Sequence, residues 1–329
     1  DAERESDYYG MQYMSRAGYD PQAAVRLQET FVRLSAGRSQ DWMAGLFASH
    51  PPSMERVEAN RQTALELPAG GEVGRERYQQ KLAPLIAAQG AYEDYDAGRK
   101  ALAGGRTDEA LSLAEKALAR LPEEALFHSL RGDVRFKQAR YRDAIANYDR
   151  ALQRNPDYFH YYLQRGLARE KLGERDAAYA DLEQSVDRLP TATALNALGN
   201  ISLVRGDTEQ AKQFFAAAAG SQTEAGAAAA ASLVRLDLPD NPQKYLNVRL
   251  GSDQQGLLLA RVENATSEAV TDIALLILYY DSAGRQQQRR VRVQGVLGPQ
   301  QAVIIATGLS DEVRNRSLKA GVTSARLAN

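Results

Sequence analysis

Cysteine is absent from the 329 residues, which removes disulfides, thiolate metal sites and cysteine nucleophiles from consideration. Histidine is almost as scarce, with three: His50, His128 and His160. No two of them share the i, i+4 spacing that presents a pair to one metal, and no H-E-x-x-H occurs in this stretch. A P-loop, a G-x-S-x-G elbow and a dinucleotide fingerprint after a strand are missing as well. Charge of one sign is also lacking. Lys+Arg number 41 against 42 Asp+Glu, a formal net charge of −1, so there is no basic excess of the kind a nucleic-acid partner requires. The longest strongly apolar run, residues 273–280, is far short of the ~18 residues a membrane-spanning helix needs. The first residue is Asp1, with neither Met nor a charged leader ahead of it, and this reads as an internal cut. On the residues alone, no complete active site is present.

What the chain does have is a repeat. Gly98, Gly132, Gly166 and Gly199 recur at spacings of 34, 34 and 33. Twelve residues after each comes an alanine: Ala110, Ala144, Ala178 and Ala211. Larger residues follow in register at Tyr148, Leu182 and Phe215, and Pro122, Pro156 and Pro190 close the first three units. This is the tetratricopeptide pattern of paired antiparallel helices. Small residues belong where the helices approach most closely, and proline stops the second helix. Four such units are expected over residues 91–238, the last covered by a capping helix over 225–238. The first helix of each unit should line a concave groove. Candidate groove residues are Tyr92, Tyr95, Ser129, Asp133, His160, Leu163, Asn196 and Asn200. Aromatic and neutral polar residues there suit an unfolded or partly folded polypeptide, and the alternative occupant is the peptidase subdomain of the same chain. His128 and His160 fall inside repeat helices, where packing or groove lining is the default role.

Beyond Pro239, Asn241 and Pro242 the apolar period changes from helical to about two. Strands are expected over 245–250, 257–263, 270–281, 286–294, 302–307 and 324–327, forming a β-sandwich domain over 245–329. Arg290 and Arg292 share one face, opposite Val291 and Val293. A solvated face accounts for them, with an anionic contact as the minority reading. The fold class is therefore mainly α with a small all-β C-terminal domain.

The first 70 residues are helical but not repetitive, and residues 71–90 read as a linking helix. Asp20 is a helix N-cap with Pro21 at the first helical position. Glu3 and Asp7 lie one turn apart, so both carboxylates share a helix face. Three segments carry more information together: Glu3-Arg4-Glu5-Ser6-Asp7, then Gly18-Tyr19-Asp20-Pro21, then Ser49-His50-Pro51 followed by Arg56. In this order they resemble the downstream half of the HtpX-like H-E-x-x-H zinc metallopeptidases, particularly the bacterial periplasmic members that bear tetratricopeptide repeats. The motif likeness covers residues 1 to about 66, and the architecture extends it through the repeats.

The resemblance implies that residues 1–70 are the C-terminal part of a zinc metallopeptidase domain. Glu3 then matches the third zinc ligand, and Asp7 the aspartate that supports the site from behind the ligands. His50 matches the histidine of the Thr-His-Pro loop and Arg56 the arginine after it. Ser6 and Ser49 replace the usual Ala and Thr. The two histidine ligands and the general-base glutamate would lie upstream of Asp1, so zinc belongs to the intact enzyme and this chain alone should be inactive. His50 reads either as a loop histidine that bonds locally or as an extra ligand or substrate-side donor. The implied location is the periplasm, and the implied partners are the missing peptidase segment and misfolded or unassembled envelope proteins. The other class of function is a non-enzymatic tetratricopeptide scaffold or chaperone-like adaptor.

Overall fold

The computed structural model describes residues 2–36, 51–281, 283–310, 313 and 318–328. The chain forms two compact units, Asp1–Gln89 and Gly90–Asn329. It is mostly helical, and an antiparallel β domain closes it, as the change of apolar period requires.

The first unit contains α1 (Ala2–Arg16), α2 (Gln22–Ala36), α3 (Met54–Glu66) and the start of α4 (Arg75–Ala103). Met11, Val25, Val57 and Ala64, one or two from each of the first three helices, form its core. Helix α1 ends at Gly18, which adopts φ +83°. Asp20 then starts α2: its Oδ1 accepts from the Gln22 amide at 3.0 Å, and its Oδ2 from Arg26 at 2.9 Å. The Arg26 hydrogen bond holds the Asp20 carboxyl below the usual range. Residues 18–20 also bridge to Glu72 through two backbone hydrogen bonds. At that crossing Gly71 has φ +124°, and a Cβ there would sit 2.6 Å from the Tyr19 carbonyl carbon. Only glycine fits.

The second unit begins with the C-terminal half of α4 and continues through seven paired helices. These are α5 (Thr107–Arg120), α6 (Ala125–Lys137), α7 (Tyr141–Arg154), α8 (Phe159–Lys171), α9 (Arg175–Arg188), α10 (Ala192–Arg205) and α11 (Thr208–Ala219). The repeat alanines Ala110, Ala144, Ala178 and Ala211 are fully buried. A Cβ on Gly132 would lie 2.6 Å from the Tyr148 ring, and one on Gly199 would lie 2.5 Å from the Phe215 ring. Each glycine is thus the notch into which the second helix sets its largest residue. Core clusters then link each pair to the next along the stack.

Helix α12 (Glu224–Asp237) caps the stack, with Ala229 packed on Phe215 and Ala218. Six strands follow: β1 (Leu246–Ser252), β2 (Leu257–Asn264), β3 (Val270–Tyr280), β4 (Gln286–Arg292), β5 (Ala302–Ser310) and β6 (Lys319–Leu327). They make two antiparallel three-stranded sheets, ordered β1-β2-β5 and β4-β3-β6. Ala260, Val262, Ile273, Leu275 and Val322 fill the space between them.

The junction between helices and sheets is packed. Val234 and Leu238, at the end of α12, belong to the core of the β domain. Asp237, 6% exposed, accepts from Asn241 at 2.8 Å, Lys244 at 2.9 Å and the Tyr245 hydroxyl at 3.0 Å. Burial alone would raise its carboxyl, but these donors outweigh it and hold the group below its ordinary value.

Two outcomes follow for stability. Gly199→Ala should destabilise the protein by about 1–3 kcal/mol through overpacking against Phe215, whereas Gly10→Ala, with open space at its Cβ, should cost nothing; urea denaturation checks both. Asp237→Asn should lower stability at pH 7 by about 1–3 kcal/mol. Because the folded-state value is depressed, the native contribution is present above an unfolded value of about 4 and is lost as pH falls through the folded one. The gap between native protein and variant should therefore narrow below about pH 4 in thermal melts.

Candidate functional site

Two clusters of polar side chains stand apart from ordinary surface, one in each unit. In the first, Ser53 caps α3 by accepting from the Arg56 amide at 3.2 Å, which fixes Arg56 in the opening turn. Its side chain reaches α1, where Glu3 and Asp7 share a face. Arg56 Nη2 donates to Asp7 Oδ1 at 2.8 Å, and Nε donates to Oδ2 at 2.9 Å. The remaining nitrogen, Nη1, lies 3.1 Å from Glu3 Oε2 and 3.4 Å from the Pro51 carbonyl oxygen. Asn60 Nδ2 completes the set on Asp7 Oδ2 at 3.4 Å. Arg56 is 9% exposed. The Asp7 hydrogen bonds, against the opposing effect of burial, hold its guanidinium above its already high value, so it is a permanent cation.

One arginine thus aligns both carboxylates expected from the sequence. Asn60, 3% exposed, was missed, although it lies one turn after Arg56 on the same face. Asp7 has both oxygens engaged and acts as an acceptor that orients Arg56. Glu3 supplies the second carboxylate on Arg56. Among the described residues no group of three His, Asp or Glu side chains converges in a way that could hold one. The described donors alone fall short of the three protein ligands that a zinc site wants. His50 and Ser49 lie outside the described residues.

The second cluster lies on the repeats. A pocket of about 520 Å³ opens between the C-terminal half of α4, α6 and the start of α8. Tyr95, Ser129, Asp133 and His160 line it together, as the repeat register implies. Asp133 Oδ2 is 3.5 Å from His160 Nε2, and its Oδ1 accepts from the Tyr148 hydroxyl at 2.8 Å. Burial pushes that buried phenol far upward, so it remains a donor. Leu102, Leu126, Leu130 and Phe136 supply the apolar wall, and Arg99 and Lys137 add two cations. Both cations were legible in principle, since each lies one turn beyond a candidate, Tyr95 or Asp133.

The other groove candidates go elsewhere. The Tyr92 hydroxyl donates to Glu124 at 2.6 Å, a bond that with burial raises it to about 12. Leu163, 6% exposed, packs in the helix core with Ala178, Leu182 and Leu198, because its position on α8 faces the neighbouring pair. Asn196 is half-buried with Oδ1 lacking a hydrogen-bond partner, and Asn200 is exposed; neither lines the pocket. His128 is packed: its Nε2 lies 2.8 Å from the Pro122 carbonyl oxygen, and burial lowers its basicity, which fits a neutral ring donating from Nε2.

Comparison with known proteins finds family matches inside each unit. Residues 1–64 match peptidase family M48. Residues 132–173 match a TPR repeat, and residues 159–190 a tetratricopeptide repeat. Hsc70-interacting proteins 1 and 2 of Drosophila melanogaster are each 40% identical over 78 residues, which is 24% of this chain. The match spans 21% of those relatives' own length. Among solved structures, the first TPR of Spaghetti (RPAP3), bound to the HSP90 peptide SRMEEVD, is 26% identical. It covers 36% of this chain and 95% of its own, with a TM-score of 0.35. A crystal structure of MamA is 19% identical over 50% of this chain and 90% of its own, with a TM-score of 0.37. The chain thus joins a segment similar to family M48 peptidases to tetratricopeptide repeats.

Replacing Arg56 tests the first cluster. Arg56→Met leaves two half-buried carboxylates without their cation and should destabilise the first unit by about 1–3 kcal/mol. Arg56→Lys, which keeps the charge but not the fork, should fall between. Hydrogen exchange is the readout: amides of α1 and α3 should lose protection while those of the repeats keep theirs.

Proposed function

We propose that this chain is the C-terminal part of a bacterial zinc-dependent metalloendopeptidase that acts on misfolded or unassembled envelope proteins in the periplasm. The observation that carries this reading is the Glu3–Asp7–Arg56 cluster, which falls inside the residues that match peptidase family M48. In the intact enzyme Glu3 would be one zinc ligand, and the metal would supply Lewis-acid activation of a water near neutral pH. The work of this chain's own residues is positional. Arg56 holds Glu3 at a fixed angle and neutralises part of its charge, and Asp7 with Asn60 keeps Arg56 in place. His50 would join either as an extra ligand or as a donor to substrate. The groove pocket would retain an extended or partly folded polypeptide, with Tyr95 and Tyr158 as stacking surfaces and Ser129, Asp133 and His160 as hydrogen-bonding groups.

The adaptor reading draws on one observation: the groove pocket is built wholly from the second unit. A single comparison separates the two readings. In a protein extended upstream through an H-E-x-x-H helix, casein should be hydrolysed in a chelator-sensitive way. Glu3→Ala should abolish zinc binding and cleavage together, and Asp7→Ala should reduce turnover by roughly 10–100-fold. Residues 1–329 alone should cleave nothing. Hydrolysis that survives Glu3→Ala would overturn the assignment, and casein binding without any hydrolysis would favour the adaptor. Tyr95→Ala combined with Tyr158→Ala should raise KM for casein and leave the turnover of a short peptide unchanged.

A further inference from the structure

The β4-β3-β6 sheet has a face whose composition differs from the rest of the molecule. Ile273, Leu275 and Ile277 of β3 point into the core, so Leu276, Leu278 and Tyr280 point outward, where they are only half-buried. The register sets Arg290 opposite Leu276 and Arg292 opposite Ala274, and on the other side Lys319 opposite Leu278. All three cations are exposed, and none makes an ion pair among the described residues. Asp272 and Asp281, on the same strand or its turn, are already engaged by Arg326 and Arg285. A local excess of three positive charges on a chain of net charge −1 is a departure that the fold does not require.

The edge of the sheet is unusual too. Strand β4 is terminal in the order β4-β3-β6, and its pairing with β3 runs through seven residues without a register shift. It contains no proline, and its residues are exposed apart from the half-buried Val291. The β2–β5 and β3–β6 pairings are both bulged, whereas β4 is regular. Exposed edges are normally blunted by proline, bulges or charge, and here charge of one sign is the sole device. Like charge repels a second copy of the same strand. It does not repel an acidic one.

We propose that the free edge of β4 docks an extended acidic segment of a partner polypeptide as a fourth strand. Backbone hydrogen bonds to β4 supply the affinity. Selection comes from two acidic side chains at alternate positions of the incoming strand, which fall on one face and sit beside Arg290 and Arg292. This assignment is independent of any role for residues 1–64.

The test uses the 329-residue chain and a fluorescent ten-residue peptide with glutamates at two alternate positions in a Thr/Val background. Binding should be saturable and weaken with salt. Arg290→Glu with Arg292→Glu should weaken it about tenfold, as reversal of two exposed charge pairs allows, and should create a preference for the matching lysine peptide. Placing the glutamates on adjacent positions should weaken binding, and N-methylating alternate backbone amides should abolish it. Arg290→Gln with Arg292→Gln, which introduces no new charge, should give an intermediate affinity at an unchanged melting temperature. Equal binding of the N-methylated peptide would overturn edge pairing, and equal binding by the charge-reversed protein would overturn the role of the arginines. Binding to phosphatidylglycerol vesicles but not to the peptide would replace the proposal with a lipid contact.

Discussion

The repeat stack depends on one contact: a glycine on the first helix of a pair beneath a large side chain sixteen residues later on the second. Gly132 lies under Tyr148, Gly166 under Leu182 and Gly199 under Phe215. The absence of a Cβ lets the helix axes come together, and the ring or isobutyl group then fills the notch. Where the later residue is small, as at Ala114, the notch of Gly98 is filled by Leu113 and Leu130. Alanines at fixed offsets continue the close approach, so the pairs stack with a constant geometry. That constancy is what opens a groove along the first helices.

Much of this was legible because the physical constraint repeats. A period of 34 residues is visible without knowing what any single glycine touches, and the change to a shorter apolar period marks four of the six strands to within two residues at each end, with β5 running three residues further than expected. The last strand starts earlier than its apolar pattern, at Lys319, because pairing with β3 extends past the residues that face the core. Other features were not legible, since they depend on which elements meet. Leu163 reads as groove-facing by repeat position, yet it packs inward. Val234 and Leu238 look like ordinary residues of a capping helix, and nothing local reveals that their partners are strands. Asp7 and Arg56 are 49 residues apart, and only the resemblance brought them into one argument.

Arginine between two carboxylates recurs in the second unit. Arg165 donates to Asp181 through two nitrogens at 2.8 and 2.6 Å and to Asp149 at 2.6 Å, and Arg169 adds a further bond to Asp181. Asp181 is 3% exposed, so the cluster is a neutralised ion network inside the helix stack. One repeat earlier the equivalent Arg131 meets the neutral Asn147 at 2.6 Å, and burial lowers its basicity. The Arg56 cluster differs in kind. It joins the first two turns of α1 to the opening turn of α3, inside the segment that matches peptidase family M48.

The shared residues at the end of α12 bear on the order in which the chain acquires its structure. Synthesis proceeds from the N-terminus, and a repeat stack can propagate from any folded pair to its neighbours. The last helix can dock on Phe215 as soon as it emerges, but Val234 and Leu238 find their neighbours only when the strands of both sheets have been made. Until then the end of the stack presents two apolar residues, Val234 and Leu238, without those neighbours. Full burial of Val234 and Leu238 therefore needs β6 as well, whose Val322 and Ala325 are among those neighbours. The end of the stack thus exposes apolar surface for as long as the strands take to be translated, the interval in which a nascent chain is most prone to associate wrongly.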